Sequence, residues 1–293
     1  AAIASGEFGV GQLALFTAYL GWLSFLPRMV GRVLARRKQS GVAISRLSHL
    51  VADERVDNLV TPRDLPIGTD AVRPRHEAVR PQRVPLRRLE VRDLSARYGN
   101  GAGVSDVSFT IASGSFTVVT GPIGCGKSTL LRAMLGLAHQ ATVTGDVLWN
   151  DRPLLDRAAV LVPPNCAYLP QVPQLISDSV ADNIALGPVD ASALFRALEM
   201  AAVRDDIDEM PDGADTMIGP RGLRLSGGQR QRVATARALV HRPELVVLDD
   251  VSSALDVETE VRLWTNLAEA GMTVIAVSHR QVAFDRADRV IRL

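Results

Sequence analysis

The run Gly121-Pro122-Ile123-Gly124-Cys125-Gly126-Lys127-Ser128-Thr129 carries the first chemistry legible in this 293-residue chain. Its spacing is G-x-x-x-x-G-K-[ST], a loop that wraps phosphate oxygens. Glycines accept positive φ, so successive backbone N–H groups can turn inward around an anion. The N-terminus of a following helix adds positive potential. Lys127 is expected to reach the β- and γ-phosphates of a nucleotide, and the Ser128 hydroxyl to ligate Mg²⁺. Among the 33 basic residues only Lys38 and Lys127 are lysines, so a lysine kept in this loop stands out. A chance glycine-rich turn would lack the flanks found here. Ser115 to Thr120 is a β-branched run suited to a buried strand, and Leu130, Leu131, Met134, Leu135 and Leu137 recur at helical spacing.

A second set of residues suits the other side of a phosphate site. Glu244 to Asp250 reads ELVVLDD, an apolar strand with two carboxylates at its C-terminal end, where ligands collect in open α/β sheets. Asp249 is placed to hold Mg²⁺, usually through water. Asp250 is placed to orient or deprotonate an attacking water. His279 follows another apolar strand, Thr273 to Val277, and could touch a γ-phosphate. Gln171 follows Tyr168-Leu169-Pro170, and its amide could serve Mg²⁺ or water. Taken singly these would be solvated acids, a structural histidine and a loop glutamine; the phosphate loop gives them a common purpose. Tyr98, 23 positions before Gly121, offers a ring on which a base could stack. Leu225-Ser226-Gly227-Gly228-Gln229 opens a helix running to Leu239. Ser226 is a good N-cap and the two glycines expose N–H groups, which makes a second anion site. Two anion sites and one phosphate loop suggest ATP sandwiched between two subunits.

Leu89 to Ala96 alternates like an edge strand, and Val104 to Ile111, Gly145 to Trp149 and Ala167 to Leu169 continue the β pattern. Strands come first, then strands alternate with helices, which gives an antiparallel part joined to a phosphate-loop α/β core. Apolar content of 47% is ample for a core, and the net charge of +1 gives no electrostatic reason to expect a nucleic-acid partner. Cys125 and Cys166 form neither a disulfide framework nor a metal spacing, and suit a reducing cytosol.

The N-terminal part has a different character. Phe8 to Pro27 contains no charged residue, and 20 helical residues span about 30 Å, the hydrocarbon thickness of a bilayer. Glu7 lies on one side; Arg28, Arg32, Arg36, Arg37 and Lys38 crowd the other, which orients that end toward the cytoplasm. Gln12, Thr17 and Tyr19 are expected to face other helices or a cavity. The helix is expected to continue from Val33 to about Ala52. From Asp53 to Arg88, Pro62, Pro66, Pro74, Pro81 and Pro85 read as a linker. One helix cannot build a path across a membrane, so the sequence reads as the C-terminal part of a longer membrane protein.

The combination of LSGGQ at Leu225–Gln229 with the phosphate loop and ELVVLDD closely resembles the ATP-binding-cassette (ABC) superfamily, in particular exporters that fuse membrane and nucleotide-binding parts. Within that resemblance Tyr98 matches the A-loop, Gln171 the Q-loop, Ser253-Ala254-Leu255-Asp256 the D-loop and His279 the switch histidine. Ile218-Gly219-Pro220-Arg221-Gly222 looks like the X-loop, and Gly9 to Val51 like the last transmembrane helix and its cytosolic extension. The resemblance implies residues 1–52 as that helix, 53–87 as a linker and 88–293 as the nucleotide-binding domain, with 172–224 a helical subdomain. It implies ATP and Mg²⁺ as cofactors and a second ABC half as partner. Each ATP would sit between the phosphate loop of one half and the Ser226–Gln229 stretch of the other, with the membrane helices in the cell (inner) membrane and the cassette in the cytoplasm.

The sequence departs from the family pattern in four ways. Asp250 stands where a catalytic Glu is usual, Val251 where Pro is common, and Pro220 where the X-loop has Glu; the earlier membrane helices are lacking, and the chain stops shortly after His279. A carboxylate withdrawn by one methylene predicts slow hydrolysis at this chain's own loop, and a heterodimer with one weak and one competent site is preferred over a homodimer. The leading expectation is the ATPase half of an exporter of unknown substrate. Its alternative is an ATP-gated dimerisation module with little turnover. A soluble DNA-repair or translation protein is disfavoured by Phe8–Pro27, and an importer ATPase by the fused helix.

Overall fold

The computed structural model describes residues 9–48 and 81–293. The linker expected at 53–87 lies outside the described residues up to position 80, as do Phe8 and the expected helix end at 49–52. The chain divides into two units, Ala1–His76 and Glu77–Leu293.

In the first unit, helix α1 (Val10–Ser48) runs for 39 residues with Pro27 inside it, about 58 Å at helical rise. It is long and apolar enough to cross a membrane by length and composition. Leu13, Leu15, Phe16, Leu20, Leu23 and Leu26 are all exposed on it. Of Gln12, Thr17 and Tyr19, expected to face other helices or a cavity, Gln12 Oε1 accepts from Gly9 N at 3.0 Å and Thr17 is bonded within α1. Thr17 Oγ1 donates to Ala14 O at 2.9 Å and Leu13 O at 3.1 Å, and Ser24 Oγ donates to Leu20 O. Such back-bonding hides a hydroxyl without a neighbour.

The second unit holds two sheets. In the antiparallel sheet β1 (Arg88–Tyr98) lies between β2 (Gly103–Ala112) and β4 (Ala141–Trp149), with β5 (Arg152–Pro153) beyond β4. The expected edge strand is therefore an interior one, paired on both sides. Alternation reports that one face of a strand is buried, and it says nothing about the number of neighbours. The register of β1 shifts on both sides around Asp93, where φ is 46° and Gly145 packs against the bulged backbone. An added Cβ at Gly145 would lie 2.4 Å from Asp93 O, so only glycine fits this crossing. β4 begins four residues before the expected Gly145, because the strand runs through that bulge.

The second sheet is parallel, in the order β6 (Cys166–Leu169), β7 (Leu245–Asp249), β8 (Thr273–Val277), β3 (Phe116–Thr120), β9 (Arg289–Arg292). Strands β7 and β8 are buried at every position, as parallel strands covered on both faces must be. On one face Leu245, Val247, Ile275 and Val119 meet Leu130, Leu131 and Met134 of helix α2 (Lys127–Met134), which also packs on β1. On the other face Val246, Leu248, Val118 and Val274 meet later helices. Of these, α7 (Gly227–Leu239) and α8 (Val257–Glu269) are the longest. Phe116 and Trp264 meet edge to face there, ring centroids 5.2 Å apart. Before them come α3 (Arg157–Val160), α4 (Val180–Ala185), α5 (Ala191–Met200) and α6 (Arg204–Asp208), and near the end α9 (Gln281–Phe284).

Candidate functional site

Parallel strands deliver their C-terminal ends to one edge of a sheet, and β6, β7, β8 and β3 are consecutive neighbours. Asp249 pairs in register with Val277, and Val277 with Val119. The segments that follow the four strands therefore emerge level with one another. They carry Gln171, then Asp249 and Asp250, then His279, then the loop Gly121–Thr129. A cleft of about 450 Å³ forms among them, lined by Gln171, Asp249, Asp250, Val277, His279 and, from the loop, Ile123, Gly124, Gly126, Lys127, Ser128 and Thr129.

The loop has the backbone its glycines allow. Gly121, Gly124 and Gly126 have φ of 149°, 82° and 99°. A Cβ at Gly126 would lie 2.5 Å from Val104 Cγ1, and one at Gly121 would lie 2.7 Å from Leu293 O. Lys127 Nζ donates to Gly121 O and Pro122 O, both at 2.9 Å, so the ammonium braces the loop from inside. Cys125 Sγ lies 4.0 Å from it. The other thiol, Cys166, is buried, which pushes its pKa up and leaves it inert.

Asp249 is buried, and both its oxygens are engaged: Oδ1 accepts from Ser128 Oγ at 3.0 Å and Oδ2 from the Tyr168 hydroxyl at 3.2 Å. Burial holds the Tyr168 phenol above its ordinary pKa, and Asp249 adds to this against the pull of Arg132. Sequence reasoning missed Tyr168 and Arg132. The available signals were the four-residue spacing of Ser128 and Arg132 and the position of Tyr168 three residues before Gln171. Ser128, Asp249 and Gln171 form an oxygen donor set suited to a hard cation such as Mg²⁺.

Asp250 adopts φ 53°, ψ 47° at the start of the turn Val251–Ala254. Its Oδ2 accepts from Gln171 Nε2 at 3.1 Å. Burial raises its pKa, opposed by His279, reinforced by Asp249, and further opposed by the Gln171 hydrogen bond and Lys127. The left-handed conformation is one that Asp adopts more readily than most residues.

Tyr98 and the Ser226–Gln229 stretch lie outside this cleft's lining. Tyr98 closes β1, half-buried and near Arg132. Ser226 caps α7 in a reciprocal box: its Oγ accepts from Gln229 N at 3.1 Å and Gln229 Oε1 accepts from Ser226 N at 3.0 Å. The Ser226 hydroxyl keeps its own proton to donate; Gly227 is exposed and Gly228 half-buried. Gln229 Nε2 also donates to Asp206 of α6 at 3.1 Å, and Asp206 pairs with Arg232 at 2.6 Å. The helix end is thus capped and tied to α6, with Ser226 and Gly227 facing outward.

Residues 104–253 match the ABC transporter family. Over 99% of its length the chain is 32% identical to the multidrug resistance-like ATP-binding protein MdlA of Escherichia coli K12, covering 47% of that protein. It is 31% identical to the ATP-dependent lipid A-core flippase of Bordetella avium, covering 48% of it, and 31% identical to the β-(1→2)glucan export protein NdvA of Agrobacterium vitis, also covering 48%. A solved structure of a bacterial Atm1-family ABC exporter with ATP bound superposes with a TM-score of 0.68 at 26% identity, over 97% of this chain and 48% of that one. The chain spans about half the length of these relatives.

Proposed function

Because the chain belongs to the ABC transporter family, we propose that it is the ATP-binding half of an exporter, with α1 as its last membrane helix. In this reading 1–52 is that helix with its extension, 53–87 the linker and 88–293 the nucleotide-binding domain, with 172–224 the part that meets the membrane helices. The observation that carries it is the convergence of the loop Gly121–Thr129, Asp249, Asp250, Gln171 and His279 on one cleft.

The loop N–H groups and Lys127 bind the phosphates of ATP. Ser128 and Asp249, with Gln171, would hold Mg²⁺, which when bound neutralises charge on the β- and γ-oxygens. Asp250 orients a water toward the γ-phosphorus and accepts its proton as the new P–O bond forms and the β–γ bridge breaks. His279 contacts the γ-phosphate. Tyr98 stacks on the base. Ser226, Gly227, Gly228 and Gln229 close the ATP site of a second ABC half, and the outward-facing cap supports that role.

Asp250 is one methylene shorter than Glu, about 1.5 Å of reach, and Gln171 holds it. Hydrolysis at this site is therefore slow, and the partner half is a different chain with a competent carboxylate. A module that uses ATP as dimer glue is the second reading, favoured by the same contact. Relatives named for multidrug resistance, glucan export and lipid A-core flipping match at nearly equal identity. The cassette therefore does not encode the substrate, and none is assigned.

The test is equilibrium binding of ATP to the full chain in detergent. Lys127→Ala removes charge-assisted bonds of about 1.5–3 kcal/mol and is expected to weaken binding roughly ten- to a hundred-fold. Equal affinity of the two proteins would contradict the assignment of this loop.

A further inference from the structure

Each oxygen of Asp249 has its own donor, and only one of them belongs to the phosphate loop. Ser128 Oγ engages Oδ1 at 3.0 Å, and the Tyr168 hydroxyl engages Oδ2 at 3.2 Å. The positive charge of Arg132 acts on the same phenol. Ser128 and Arg132 stand four residues apart on α2 and so share one helix face. That face packs toward β7 and β6, the strands that carry Asp249 and Tyr168. The result is a chain of hydrogen bonds, Tyr168 to Asp249 to Ser128, that crosses three elements and ends at the mouth of the loop, with the Arg132 charge acting on the tyrosine.

We infer that Tyr168 is a positioning residue for the divalent cation: its hydroxyl, backed by Arg132, locks the Asp249 carboxylate so that Oδ1 faces Ser128. The inference rests on the reading of this cleft as a Mg²⁺–ATP site. A carboxylate with one oxygen tied cannot rotate about its terminal bond without breaking that tie. Asp249 is 1% exposed, so water does not readily replace the missing donor. Untied, the carboxylate samples orientations in which neither oxygen faces Ser128, and the cation loses a preformed ligand. Outer-sphere partners of this kind change metal affinity about 10- to 100-fold when removed. Phosphate binding by the loop N–H groups and Lys127 involves neither Tyr168 nor Arg132, so metal and nucleotide affinities should separate.

The experiment measures a fluorescent ATP analogue bound to the full chain in detergent, in EDTA and across a Mg²⁺ series. In Tyr168→Phe the affinity in EDTA is expected to match the wild type, while the Mg²⁺ concentration at half-effect rises about ten-fold. Arg132→Leu is expected to shift it in the same direction by less, and the double variant to match Tyr168→Phe alone. An unchanged Mg²⁺ midpoint in Tyr168→Phe overturns the inference, and so does an equal loss of binding in EDTA, which would mark a merely structural tyrosine. Should Tyr168→Phe fail to fold, Arg132→Leu, altered at an exposed side chain, decides by the same midpoint. A wild-type chain that binds no nucleotide in either condition overturns the cleft assignment itself, and the inference with it.

Discussion

Asp250→Glu is expected to raise ATP turnover at this site by about 10²-fold in the reconstituted full-length transporter. The reason is reach. A misplacement of about 1 Å in a reacting group costs on the order of 10²-fold in rate, and one methylene restores roughly that distance. Gln171 holds the present carboxylate at 3.1 Å, and Val251 in place of a proline leaves the left-handed backbone at Asp250 unrestrained by a following ring. The acid limb of the pH–rate profile carries the same information. Burial raises the Asp250 pKa, with His279 opposing and Asp249 reinforcing. The ionised base is therefore lost at a higher pH than for an ordinary aspartate as the medium is acidified. The sign for stability follows from linkage: the folded-state pKa exceeds the unfolded one, so ionised Asp250 costs stability above that pKa, and the cost disappears as pH falls through it. Asp250→Asn should then stop turnover without lowering stability at neutral pH. Thermal unfolding alongside the ATPase assay separates the two effects. No gain from Asp250→Glu, while the equivalent change in the partner does alter turnover, would contradict the claim that this carboxylate limits its site.

Arg280→Met is expected to cost about 3–5 kcal/mol of stability. Glu260 on α8 is fully buried, and its carboxylate is met by Arg280 at 3.0 Å and by Trp264 Nε1 at 3.1 Å. Removing the cation leaves a desolvated carboxylate with a single neutral donor. A fall in melting temperature of roughly 10 °C follows for a unit of this size. The double variant Glu260→Gln, Arg280→Met removes the buried charge together with its partner and should recover most of the loss. Calorimetry of the three proteins checks it. Equal stability of Arg280→Met and wild type would mean that solvent already screens Glu260. Arg280 directly follows His279, so the same ion pair also anchors the backbone that carries the histidine to the cleft.

Much of the fold was legible because local patterns carried it. The strand–loop–helix order around Gly121–Thr129 and the apolar run before Asp249 each specify one element and its direction, and the structure has β3, α2 and β7 there. The neighbour count of a strand is not a local property, so β1 read as an edge although it lies between two partners. The same limit hid Tyr168 and Arg132. Spacing puts Ser128 and Arg132 on one helix face and Tyr168 near Gln171, but Tyr168 meets Asp249 only because β6 lies beside β7. The Glu260–Arg280 pair joins α8 to the loop after β8, two elements whose contact arises only from strand order. On α1 the Thr17 hydroxyl, expected to face other helices or a cavity, has carbonyl acceptors one turn back in its own helix, a local alternative that the single-helix pattern does not display. The Gln171–Asp250 contact was invisible too, although both residues stood out singly, because only the adjacency of β6 and β7 brings them together.

A cleft of this geometry is expected to hold ATP more readily than it hydrolyses it. The direct measurement is the chemical identity of the nucleotide bound to the full-length transporter at this chain's loop, followed over time after one addition of Mg²⁺ and labelled ATP. The wild type should retain intact ATP there long after Asp250→Glu has converted its bound nucleotide to ADP and phosphate. Conversion at the same rate in both proteins, or no nucleotide retained by the wild type, would contradict the account.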